Sequence, residues 1–117
     1  MNTYIYLSTC NTCIRILKEL NLPEGTKLQD VKHQPISQEQ LEALYDVTQS
    51  YEQLINKRSR VLKALNKAGK TPDETGYKHL LETEYSCLKR PILHWEKTFY
   101  LGNAKKTVAA MQHAVHG

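Results

Sequence analysis

The chain has 117 residues, of which 24 % are charged and 40 % hydrophobic, the balance of a soluble globular domain with one ordinary core. No apolar run is long enough to cross a bilayer, and the opening MNTYIYLSTC lacks the basic and long apolar regions of a secretory signal, so the sequence reads as a cytoplasmic protein. Net charge is +4, but the lysines are scattered, so the charge reads as a solvated surface with neither a direct nucleic-acid partner nor a membrane.

Thr3 to Leu7, β-branched and aromatic, predicts a strand. Cys13, Ile14, Leu17 and Leu20 recur at helical spacing and predict a helix over 11–21. A turn follows at Leu22-Pro23-Glu24-Gly25. Lys27 to Lys32 alternates through Leu28 and Val31 and predicts a second strand, which makes a parallel βαβ unit with the first.

Ser37-Gln38-Glu39-Gln40 is a capping box opening a helix with Leu41, Leu44, Tyr45 and Thr48 on one face. A second helical stretch runs from about Asn56 to Ala68 and stops at Gly69. Thr71-Pro72-Asp73-Glu74 reads as another capping box with proline at the first helical position. It starts a helix with Tyr77, Leu80, Leu81, Glu84 and Leu88 in register, which Gly76 weakens. Beyond Pro91, Ile92 to His94 and Thr98 to Leu101 form a hairpin about Trp95-Glu96-Lys97. Gly102-Asn103 then breaks it and caps a last helix carrying Ala104, Val108, Met111 and Val115 on one face.

The order is βαβ, a helical insert over about 37–89, then ββα. This α/β pattern is the thioredoxin-like one, a single domain over 1–117 with a mixed four-stranded sheet.

Cys10 and Cys13 form a C-x-x-C pair where the first strand meets the first helix. Three readings are open: a metal knuckle, a redox pair, and an accident of packing. Zinc needs two further ligands, and Cys87, His79, His94 and His33 form no second knuckle. Packing suits Cys13, which lies on the apolar face, and Cys87, which reads as a small buried hydrophobe at a helix end. Cys10 has a different address. At a helix N-terminus the N–H groups are unpaired and the dipole is positive, so a thiolate is stabilised and its pKa falls from about 8.5 toward about 3.5–7.5. Cys13 lies one turn in, on the same side, within reach for a disulfide. Such spacing suits attack by the first thiolate and resolution by the second.

The series YLSTCNTCIRIL, HQPISQEQLEAL, LINKRSRVLKAL, CLKRPIL and YLGNAKKTV resembles the arsenate reductase/Spx/YffB (ArsC-like) family of thioredoxin-fold proteins over nearly the whole chain. The resemblance implies that Cys10 is the nucleophile and Cys13 the second cysteine of Spx-type members. It implies that Pro91 is the cis proline against the active cysteine, with Arg90 facing that cysteine, and that Arg58 belongs to an Spx-type binding pattern. It implies a thiol–disulfide oxidoreductase with no bound cofactor, served by glutathione, glutaredoxin or another thiol reductant. The alternative it implies is a redox-sensing regulator that binds RNA polymerase, although Ser50 stands where Spx proteins use a glycine for that contact. Arsenate reductases of the family carry an arginine in the last strand. Here that stretch reads Phe99-Tyr100-Leu101-Gly102, and weak arsenate turnover is expected.

Overall fold

In the computed structural model, which describes residues 2–117, Thr3–Tyr6 forms an inner strand, β1. Leu7 falls outside it because its carbonyl turns to accept the Cys10 N–H at 3.0 Å. Helix α1 (Asn11–Leu20) follows, then β2 (Lys27–Asp30), α2 (Gln38–Thr48), α3 (Arg60–Lys67), α4 (Glu74–Thr83), β3 (Ile92–Trp95), β4 (Thr98–Leu101) and α5 (Lys105–His116). The chain divides into two units, residues 1–34 with 90–117, and residues 35–89. No helix among the described residues is long and apolar enough to cross a membrane.

The first unit holds the sheet, in the order β2-β1-β3-β4. β1 is parallel to β2 and antiparallel to β3, and β3 is antiparallel to β4. Register puts Leu28, Tyr4, Leu93 and Tyr100 in one cross-strand row. Tyr4 and Leu93 pack with Ile16 and Leu20 of α1 and Met111 of α5. Each buried Leu, Ile or Met contributes roughly 1.5–3 kcal/mol through removal from water.

Burial departs from the pattern in two places. The buried face of α1 runs through Cys13, Ile16 and Leu20, while Ile14 and Leu17 flank it half-buried. In β2, Leu28 is 49 % exposed and Gln29 is buried. Leu28 and Val31 are three apart, and a strand puts such residues on opposite faces, so both could not point inward from one strand. Val31 is buried beyond the strand's end, and Gln29 satisfies its amide by donating to the Gln34 carbonyl at 3.1 Å.

The second unit contains α2, α3, α4 and two single 3-10 turns, Glu52–Leu54 and Tyr85–Cys87. An isolated bridge pairs Ile55 with Leu88. The Ser37 box forms as expected, with Ser37 and Gln40 capping each other reciprocally. The stretch expected to be helical from Asn56 starts only at Arg60. Asn56 Oδ1 accepts the Arg58 N–H in a local turn, and Ser59 is the cap, accepting from Leu62. The capping box expected at Thr71 does not form. Asp73 caps α4 by accepting the Gly76 N–H at 2.9 Å, Pro72 lies outside the helix, and the Thr71 hydroxyl bonds Asn66 instead. α4 ends at Thr83 and does not reach Leu88, because Glu84 is extended (φ −125°, ψ 97°).

Glu74 then ties the unit together. Its carboxylate accepts the backbone N–H groups of Tyr51 at 2.8 Å and Glu52 at 3.0 Å. Gly76 is required by close approach, since a Cβ there would lie 2.9 Å from Pro72 Cβ, a rigid ring atom. Gly76→Ala should therefore lower stability by about 1 kcal/mol or more, although alanine ordinarily gains about 1 kcal/mol over glycine inside a helix. Urea denaturation of the two proteins checks the sign.

Candidate active site

Cys10 is the N-cap residue of α1, extended at φ −94° and ψ 111°, with no side-chain cap from its thiol. Its backbone is held on both sides, by its N–H on the Leu7 carbonyl at 3.0 Å and by the Ile14 N–H on its own carbonyl at 3.1 Å. The thiol is partly exposed. Partial burial opposes ionisation there. The Cys13 backbone N–H, the Cys13 thiol, the Arg90 guanidinium and the Thr12 backbone N–H together outweigh it, and the Cys10 pKa falls below the ordinary thiol value. This is the helix N-terminal effect that the spacing predicts, with a cation added.

Cys13 is fully buried beneath it. Burial pushes its thiol up, a hydrogen bond from the Leu7 backbone opposes that, and the neighbouring Cys10 adds to the rise, which reaches about 12. The two thiols thus share one helical turn yet differ in kind, one partly exposed and drawn toward ionisation, the other buried and held protonated. None of the three cysteines is paired in a disulfide.

Arg90 and Pro91 enter from the start of β3. The Arg90–Pro91 peptide is cis, as expected, and Pro91 is buried. The carbonyl of Pro91 accepts the N–H of Gly102, which takes φ +90°. Arg58 belongs to the second unit, exposed in the bend before α3. Cys87, also in that unit, is buried with Sγ 3.2 Å from Ser59 Oγ. Among the described residues no group of three or more His, Cys, Asp and Glu is placed to hold a metal ion.

Two residues at this site carry no sequence signature. Asp30, at the end of β2, accepts the Ser8 and Lys32 backbone N–H groups at 3.2 Å each. Hydrogen bonds from Ser8, countered slightly by burial, and from Lys32 hold its carboxyl below the ordinary range. Asp30 thereby fastens the loop that leads into Cys10. Tyr4 is fully buried, and its hydroxyl donates to the Cys13 carbonyl at 2.8 Å. Its strand position was legible, and a buried tyrosine needs a hydroxyl partner. Only the packed structure supplies that partner's identity.

Residues 6–111 match the model of the ArsC family. The chain belongs to the ArsC family. A search of curated proteins gives no match. Among solved structures, a YffB protein superposes with a TM-score of 0.74 at 20 % identity, covering 96 % of this chain and 99 % of the other. An arsenate reductase (ArsC) related protein from Brucella melitensis superposes with a TM-score of 0.65 at 18 % identity, covering 93 % and 92 %. These likenesses agree with the sheet order in giving the ArsC chain a thioredoxin-like fold.

In this ArsC protein iodoacetamide should modify Cys10 along a pH curve with its midpoint below the ordinary thiol value of about 8.5. Cys13 should stay unmodified to far more alkaline pH, and peptide mass mapping separates the two. Arg90→Ala should move the Cys10 midpoint up by roughly half a unit, and Arg90→Lys by less, since one partly screened cation is removed in the first and displaced in the second.

Proposed function

We propose that this ArsC-family chain is a thiol–disulfide oxidoreductase in which Cys10 attacks and Cys13 resolves. The observation that carries the reading is the split between the two thiols, with Cys10 lowered by N–H groups and Arg90, and Cys13 raised by burial one turn away.

The Cys10 thiolate attacks one sulfur of a substrate disulfide, forming a mixed disulfide and releasing the other substrate sulfur as a thiolate. Cys13 then loses its proton and attacks Cys10 Sγ. This breaks the mixed disulfide, releases the second substrate thiolate and leaves a Cys10–Cys13 disulfide. Two electrons have passed to the substrate. The second step is favoured by the first. Once Cys10 is bound in a neutral disulfide, its thiolate no longer raises the Cys13 pKa, and burial alone remains to hold that proton. An external thiol such as glutathione, directly or through glutaredoxin, returns the pair to its reduced form.

Arsenate is a poorer substrate on this reading. Arg90 is the cation that acts on Cys10, β4 (Thr98–Leu101) contributes no arginine, and one guanidinium compensates a doubly charged oxyanion incompletely.

The test uses glutathione disulfide and arsenate in parallel. Cys10→Ser should abolish mixed-disulfide formation, and Cys13→Ser should trap glutathione on Cys10. Cys87→Ser should change neither. Arsenate turnover with glutathione and glutaredoxin should fall at least about tenfold below that of a dedicated arsenate reductase, an allowance of about 1.4 kcal/mol for one missing charge contact. Equal turnover, or an adduct that survives in the wild type, defeats the assignment.

A further inference from the structure

The first turn of α1 hangs on a side chain that takes no part in the scheme above. Tyr4 stands in β1, in register with Leu28 on one side and Leu93 on the other, so its backbone is fixed by two neighbouring strands. Its ring is fully buried and packs at 5.5 Å, tilted, against Tyr6. Its hydroxyl donates to the Cys13 carbonyl. The same peptide unit uses its other end to donate the Ile14 N–H to the Cys10 carbonyl. One unbroken chain of hydrogen bonds therefore runs from the Tyr4 phenol, through the Cys13–Ile14 peptide, to the backbone of Cys10. Bonds in series polarise one another, so a donor at one end tightens the bond at the other. On its opposite flank Cys10 is bonded to Leu7, just past the end of β1. Both anchors of the cysteine lead back to the segment that carries Tyr4.

We propose that Tyr4 is a positioning residue for the Cys10 thiolate, its hydroxyl setting the Cys13–Ile14 peptide and so holding the first turn of α1, with its free N–H ends, beside Cys10. The inference rests on Cys10 being the reactive thiol. Tyr4 does not touch the sulfur or a substrate. It acts through the turn, by holding the backbone from which the Cys13 N–H reaches the thiolate. It remains a donor throughout the working range, because burial, the two thiols and Tyr6 all push its own ionisation to higher pH.

The decisive variant is Tyr4→Phe, which keeps the ring and removes only the donor. The readout is the pH midpoint of Cys10 alkylation, followed beside the thermal midpoint of the same protein. Tyr4→Phe should raise the alkylation midpoint by roughly 0.5–1, which is about a three- to tenfold loss of thiolate at a fixed pH below it. Tyr6→Phe, a neighbouring tyrosine on the same strand with no such bond, should leave the midpoint where it is. A Tyr4→Phe protein with a lower thermal midpoint and an unchanged alkylation midpoint overturns the proposal, since the phenol then only satisfies a buried carbonyl. Should that variant fail to fold, 3-fluorotyrosine in place of Tyr4 keeps the shape and makes the phenol a stronger donor. The midpoint should then fall, and an unchanged one overturns the proposal equally. A wild-type midpoint at the ordinary thiol value sinks the reading of Cys10 itself. A depressed wild-type midpoint that Tyr4→Phe leaves in place sinks only the role of Tyr4.

Discussion

The backbone N–H groups at the start of α1 have no carbonyl a turn earlier to accept them, and Cys10, the N-cap residue, feels those of Thr12 and Cys13 as a pull toward ionisation. That unmet donor capacity is the constraint around which the first unit is arranged. It requires Cys10 to be the N-cap, with the helix beginning at Asn11, and the Leu7–Cys10 bond enforces that start. It requires α1 to be pressed on the sheet at a fixed height, which Ile16 and Leu20 achieve against Tyr4 and Leu93. It also requires the turn not to unwind toward solvent, and here the Tyr4–Cys13 bond acts from below. A thiolate held by neutral dipoles alone would leave a net charge with only partial compensation. Arg90 supplies the opposite charge from a different part of the chain.

The two cysteines show how far local environment outweighs residue type. They are separated by two residues, each shifts the ionisation of the other, and they feel the same arginine. One is drawn to ionise and the other is held protonated, because a single helical turn carries the side chain from the open end of the helix into the core. Desolvation is the largest single influence on both, yet only at Cys13 does it prevail.

Much of this was readable in the sequence where a side chain announces its own local bond. The Ser37–Gln40 box, the break at Gly102 and the hairpin around Glu96 follow from short-range chemistry, and the structure repeats them. Cys10 was legible for the same reason, since its place depends only on where a strand ends and a helix starts. The failures occur where two local bonds compete. Thr71 and Asp73 are both good caps, and the outcome turned on Asn66 taking the Thr71 hydroxyl. Leu28 and Gln29 exchanged their expected environments because β2 is an edge strand, where one face of an apolar residue is left uncovered and a buried amide can find a backbone acceptor. Asp30 and Tyr4 could not be singled out at all. Their partners, Ser8 and Cys13, are fixed by strand pairing and helix packing, which no single stretch of sequence encodes.

The first unit is written in two pieces, with residues 35–89 spelled out between them. β1 can find β2 early, but its other neighbour, β3, lies beyond the whole of the second unit. During synthesis the N-terminal cysteines emerge long before Arg90 does. Until the last quarter of the chain is made and the distant strand has closed onto β1, Cys10 lacks the cation that helps to ionise it, and the pairing that must deliver it is the slow, long-range kind. Part of the activation of this thiol is thus withheld from the nascent chain and granted to the finished one. A cysteine exposed early is kept closer to ordinary reactivity while it is most open to wrong partners.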